Sequence, residues 1–131
     1  MKYTATGDVK TYVSLQRPGF DVLAGSAGIL REAMSYGSPG GTVSLANAFP
    51  ALALRLYELC RSDDAAEAAS FAEYVTRVNA AISGKSGVAG VKAAMELAGF
   101  RAGIPRRPLE PLDDADIAEL RATLLDEGVL H

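Results

Sequence analysis

The chain has 131 residues, of which 49% are hydrophobic and 22% charged, and its net charge is −3. That length suits one domain able to bury roughly two thirds of its unfolded surface, and the mildly acidic balance supplies no basic stripe for a nucleic-acid backbone. Cys60 is the single cysteine and His131 the single histidine, so neither an internal disulfide nor a Cys/His zinc cluster is available.

No apolar run approaches the roughly 20 residues of a membrane helix, and the N-terminus lacks the charged and apolar regions of a signal peptide. A metal-free protein with no membrane or nucleic-acid partner is therefore expected. Its default location is cytoplasmic, or mitochondrial if a transit peptide belongs to a missing N-terminal portion.

The first residues, Lys2-Tyr3-Thr4-Ala5-Thr6-Gly7-Asp8, place a lysine ahead of a polar, Gly-containing turn, with Met1 to Tyr3 as a strand stub. Asp8 can cap a helix to Gln16, which Pro18-Gly19 stops. Phe20 to Ala24 is a short apolar strand ended by Gly25-Ser26. Ile29, Leu30, Ala33 and Met34 are spaced as on a helix over Ala27 to Tyr36, and Gly37-Ser38-Pro39-Gly40 closes it.

Gly41 to Leu45 is the next strand, starting about 21 residues after Phe20, a spacing that accommodates a strand, a helix and two loops. Asn47 and Pro50 turn the chain into a helix from Ala51 to Arg61.

Beyond Asp63 the pattern becomes helical. Asp63 or Asp64 caps a helix to about Ser83, with Ala68, Phe71, Val75, Val78 and Ile82 on one face. A break over Gly84 to Gly90 precedes a helix through Ala98. Pro105, Pro108 and Pro111 then impose an extended link, and a last helix from Asp113 to Glu127 ends at Gly128. The fold class is α/β, with parallel strand-helix units in residues 1–62 and a helical extension in 63–131. Two or three parallel strands cannot close a barrel, so their edges need more chain or another subunit.

The segment Lys2 to Asp8, the two strand-helix units, and the tail motifs Val91-Lys92-Ala93-Ala94-Met95 and Arg107-Pro108-Leu109-Glu110-Pro111-Leu112 together resemble the C-terminal portion of the dihydrodipicolinate synthase and N-acetylneuraminate lyase family. The resemblance implies strands six to eight of a (β/α)8 TIM barrel followed by helices, with Lys2 as the Schiff-base lysine. It implies Thr4, Gly25, Ser26 and Val43 around a pyruvate-type 2-oxo acid, no cofactor or metal, and a homo-oligomeric parent. Where dihydrodipicolinate synthases commonly carry Gly-Asp-Asp, this chain has Leu23-Ala24-Gly25-Ser26-Ala27-Gly28. With Ser44-Leu45-Ala46-Asn47, that is more similar to 4-hydroxy-2-oxoglutarate aldolase.

A lysine supplies the chemistry such enzymes need, because its iminium with a 2-oxo acid withdraws electrons from the neighbouring carbon and lets a carbon–carbon bond form or break. The proton-relay tyrosines implied by the resemblance fall in a portion outside these 131 residues. The expectation is a lyase fragment that is catalytically incomplete alone. The alternatives are a dihydrodipicolinate synthase proper, or a non-catalytic part-barrel assembly module that pairs with a second copy or another chain. Without the resemblance, Lys2 reads as a solvated terminal residue, Gly25-Ser26 as a turn, Val43 as core, and Lys92 as a surface or ion-pairing residue.

Overall fold

A computed structural model of the chain describes residues 1–4 and 7–130; Ala5 and Thr6, within the lysine segment, and His131 lie outside the described residues. Two short parallel strands, β1 (Lys2–Tyr3) and β2 (Leu23–Ala24), pair with Lys2 opposite Leu23 and Tyr3 opposite Ala24. Gly41 makes a parallel bridge to Ala24, the Gly40 carbonyl accepting from Ala24 N and Thr42 N donating to Ala24 O.

The connection between β1 and β2 holds helix α1 (Val9–Val13), which buries Val9 and Val13. Asp8 caps it, accepting from Thr11 N at 3.0 Å. After β2 a 3-10 turn, Ala27–Ile29, leads into α2 (Leu30–Ser35). This is strand-helix-strand architecture with parallel pairing, as the alternating pattern predicts.

The strands are shorter than expected. Phe20 to Ala24 contracts to Leu23–Ala24, because Phe20 instead exchanges backbone hydrogen bonds with Arg17 across the Pro18-Gly19 turn. Gly41 to Leu45 contracts to the single bridge at Gly41. Leu45 already opens α3 (Leu45–Ala48), which buries Leu45 and Ala48. Pro50 then occupies the first turn of α4 (Pro50–Cys60), where its missing N–H costs nothing.

Helix α5 (Ala65–Asn79) starts at Asp64, whose carboxylate accepts from Glu67 N at 2.8 Å, and it buries Ala68, Val75 and Val78. Ile82, on the same face, lies in a π-helical turn, Ala80–Gly84. The expected break over Gly84 to Gly90 is concentrated in one residue: α6 (Lys85–Leu97) follows at once and bends at Gly87, whose φ of 53° and ψ of −131° suit glycine alone. Gly90 is required for a different reason. A Cβ there would stand 1.9 Å from the Ile82 carbonyl oxygen, so only a bare backbone lets α6 fold back against the π turn.

The last helix, α7 (Asp114–Asp126), is capped by Asp113 and buries Leu120 and Leu124. Tyr74 donates to the Glu127 carbonyl at 2.8 Å and Arg77 pairs with the Glu127 carboxylate at 3.1 Å, tying α5 to the end of α7. One apolar core runs from Tyr3 and Val22 through Leu45, Leu56 and Ile82 to Leu124. That core joins residues 1–62 to residues 63–131. Each large aliphatic side chain in it contributes about 1.5–3 kcal/mol by leaving water. No helix among the described residues is long and apolar enough to cross a membrane.

Candidate functional site

Alternation along β1 buries Tyr3 and leaves Lys2 and Thr4 exposed on the opposite face. Tyr3 is held by stacking on Tyr12, with ring centroids 4.5 Å apart, which fixes the strand that carries the lysine. Where β2 ends, Gly25 N donates to the Tyr3 carbonyl at 2.6 Å. A Cβ at Gly25 would lie 2.3 Å from Thr4 Oγ1 and 2.6 Å from that carbonyl, so the two strand ends can touch only because residue 25 has no side chain.

Lys2, Thr4, Gly25 and Ser26 consequently open on one cleft of about 760 Å³. Its remaining wall comes from Ser44 and Asn47 beside α3, Asn79 and Ser83 around the π turn, and Val88, Val91 and Lys92 of α6, with Arg101 at the rim. Among the described residues, Lys2, Lys92 and Arg101 are the charged ones on this wall, and no Asp or Glu lines it. An anion entering the cleft thus meets cations and neutral dipoles. The cleft sits at the C-terminal ends of the parallel strands, where barrel folds place their sites.

Val43 is the exception among the sequence-derived positions. It lies outside this cleft, half-buried in an apolar groove with Leu23, Leu30 and Tyr57, because the chain leaves the strand just after Gly41. Ser44, its neighbour, takes the place on the cleft wall.

The polar residues of the helical half were missed by sequence reasoning. Asn79 lies four residues after Val75 and next to Val78, which puts an amide beside the core face of α5, a position where apolar residues are expected. That mismatch is the signal that could have found it. Asn79 Nδ2 donates to Ser26 Oγ at 3.3 Å, and Ser83 Oγ reaches both Asn79 Oδ1 and the Asn79 carbonyl at 3.2 Å. A π turn widens the helix locally and often accompanies functional residues.

Lys92 has a structural task. Its ammonium donates to the Ala102 carbonyl, while the Glu96 carboxylate accepts from Ala102 N at 2.7 Å and Gly103 N at 2.6 Å, fastening the segment that carries Arg101. Cys60 lies half-buried against the core, and burial pushes its thiol up from the ordinary value. Among the described residues no group of three His, Cys, Asp or Glu side chains gathers to hold a metal ion.

Parallel strands with intervening helices and a cleft at their C-terminal ends are the arrangement of a segment of a β/α barrel. The chain belongs to the dihydrodipicolinate synthetase family, whose model matches residues 2–127. It is 41% identical over 113 residues to a DapA-like lyase of Halobacterium salinarum, an alignment covering 86% of this chain and 37% of the relative. It is 30% identical to the 4-hydroxy-tetrahydrodipicolinate synthase of Methanoculleus marisnigri, covering 83% of this chain and 38% of that protein.

Among solved structures, the fold is similar to a 2-keto-3-deoxygluconate aldolase variant of Sulfolobus solfataricus, with a TM-score of 0.84, 21% identity, and coverage of 98% of this chain and 44% of that one. It is also similar to YagE of E. coli K12, a family protein solved with pyruvate, at a TM-score of 0.81, 23% identity, and coverage of 97% and 45%. The chain thus spans less than half the length of these relatives, and its architecture is that of a partial barrel.

Proposed function

We propose that this chain is the Schiff-base-bearing part of a 2-oxo acid aldolase or synthase, corresponding to barrel strands six to eight and the helices after them. The observation that carries this reading is the joint placement of Lys2, Thr4, Gly25 and Ser26 at two adjoining strand ends, on a cleft whose wall has cations and, among the described residues, no carboxylate. Lys2 Nζ, once neutral, attacks the ketone carbon of pyruvate or of a 4-hydroxy-2-oxo acid. Water leaves as the iminium forms, and the iminium takes up the electron pair released when the adjacent carbon loses a proton or a carbon–carbon bond breaks. Thr4 and Ser26 offer hydroxyls to the bound acid, and the Gly25 backbone allows its close approach.

Incubation with pyruvate and borohydride, followed by peptide mass mapping, tests the assignment. The expected result is a reduced pyruvate adduct on the peptide containing Lys2, lost in Lys2→Arg. Label confined to Lys10, Lys85 or Lys92 would overturn it. The half-barrel's short parallel strands support a second reading, a non-catalytic module that covers its edges with another copy. A folded dimer in light scattering that forms no adduct with pyruvate selects that reading.

A further inference from the structure

Among the described residues the hydroxyl of Ser26 makes two hydrogen bonds, and both use it as an acceptor. Gly28 N donates to Oγ at 3.3 Å, as expected where Ser26 caps the 3-10 turn, and Asn79 Nδ2 donates to it at 3.3 Å. A serine hydroxyl has two lone-pair sites and one proton. With both lone pairs engaged, the proton is the part left over, and among the described residues Ser26 Oγ donates to no protein group. Ser26 lines the cleft it shares with Lys2.

The orientation of the Asn79 amide decides this. Asn79 Nδ2 faces Ser26 Oγ at 3.3 Å and Asn79 Oδ1 faces Ser83 Oγ at 3.2 Å, which leaves the NH2 end of the amide toward the strand end and the carbonyl end toward the π turn. Ser83 reaches that position because it follows Asn79 by four residues within the continuous helical stretch of α5 and the Ala80–Gly84 turn. A relay therefore crosses from the helical half to the strand end, in the order Ser83, Asn79, Ser26.

We infer that Asn79 is a positioning residue that presents Ser26 to the cleft as a hydrogen-bond donor, held for an anionic or carbonyl oxygen of the ligand. A carboxylate is an acceptor only, so a Ser26 proton directed into the cleft favours the acid and disfavours ligands presenting N–H groups at that point. This rests on the reading of the cleft as a 2-oxo acid site.

Asn79→Asp tests it, because the carboxylate removes the donor to Ser26 and offers an acceptor that draws the Ser26 proton out of the cleft. With pyruvate as probe, the half-saturating concentration for adduct formation at Lys2 should rise roughly tenfold or more in Asn79→Asp and in Ser26→Ala, the weight of a hydrogen bond to a charged oxygen. The limiting rate of trapping should change much less. Ser26→Thr, which keeps a hydroxyl, should restore binding.

The double variant separates the relay from the added charge. If Asn79 acts through Ser26, Asn79→Asp causes no further loss in the Ser26→Ala background. A further loss of the same size there overturns the inference, as does wild-type binding in either single variant, and in both cases the Lys2 assignment stands. If the unsubstituted chain forms no adduct at all, the Schiff-base reading falls. Pyruvate must then still shift the side-chain amide resonances of Asn79 in the unsubstituted chain and not in Ser26→Ala; if it does not, the inference falls too.

Discussion

Replacing Gly25 by alanine should separate β1 from β2. The added Cβ would meet the Tyr3 carbonyl oxygen at 2.6 Å and Thr4 Oγ1 at 2.3 Å. The threonine hydroxyl can rotate away, but the carbonyl belongs to the paired backbone of β1. Relieving that contact to about 3.2 Å requires a movement of roughly 0.6 Å, which would stretch the Gly25 N to Tyr3 O hydrogen bond from 2.6 Å toward the outer limit of an N–H···O bond.

Overpacking of this kind costs about 1–3 kcal/mol. For a chain of this size that corresponds to a fall of roughly 5–10 °C in Tm for a 2 kcal/mol loss. Thermal unfolding followed by circular dichroism reads it directly. Gly28→Ala supplies the comparison from the same segment, since its Cβ would meet nothing closer than 3.7 Å. Should Gly25→Ala melt no lower than Gly28→Ala, the close approach at the strand ends is not what fixes the Lys2 face, and the reasoning fails.

Gly90→Ala should be harsher, because a Cβ 1.9 Å from the Ile82 carbonyl cannot be accommodated without displacing the π turn; a loss of about 3 kcal/mol or more is expected, seen as a lower urea midpoint. Asp113→Ala removes the acceptor for Asp116 N, 2.8 Å away, and should destabilise by about 1 kcal/mol in the same assay. The Asp8 carboxyl is held below its ordinary value, first by the Thr11 hydroxyl and then by the Thr11 N–H. Its folded form binds fewer protons than the unfolded chain, so its contribution is present above the ordinary aspartate range and disappears as pH falls through the lowered value. Melting temperature should therefore decline in acid below about pH 4, and Asp8→Asn should flatten that part of the profile.

The helices were legible because their signals are local. Asp8, Asp64 and Asp113 are caps in the structure, as their positions ahead of helical patterns indicate, and Gly128 closes α7 with a φ of 70°. The strands were legible only as places where apolar residues meet turns. Their lengths depend on partners, and with few neighbours the ladder reduces to Leu23–Ala24 and a bridge at Gly41. Val43 shows the consequence. The family resemblance implies a place for it around the 2-oxo acid, whereas here the chain turns into α3 and Ser44 lines the cleft instead.

The sequence by itself determined the order of strand-helix units, the change to helices after residue 62, and the family resemblance anchored on Lys2, because periodicity, caps and motif residues are written along the chain. Only the tertiary structure decided that the helical half completes the cleft. Asn79 and Ser83 lie more than fifty residues from Ser26 in sequence, and their meeting depends on α5 packing beside the turn after β2 and on α6 folding back where Gly90 leaves room. Such meetings are set by packing between distant segments, which no local pattern encodes.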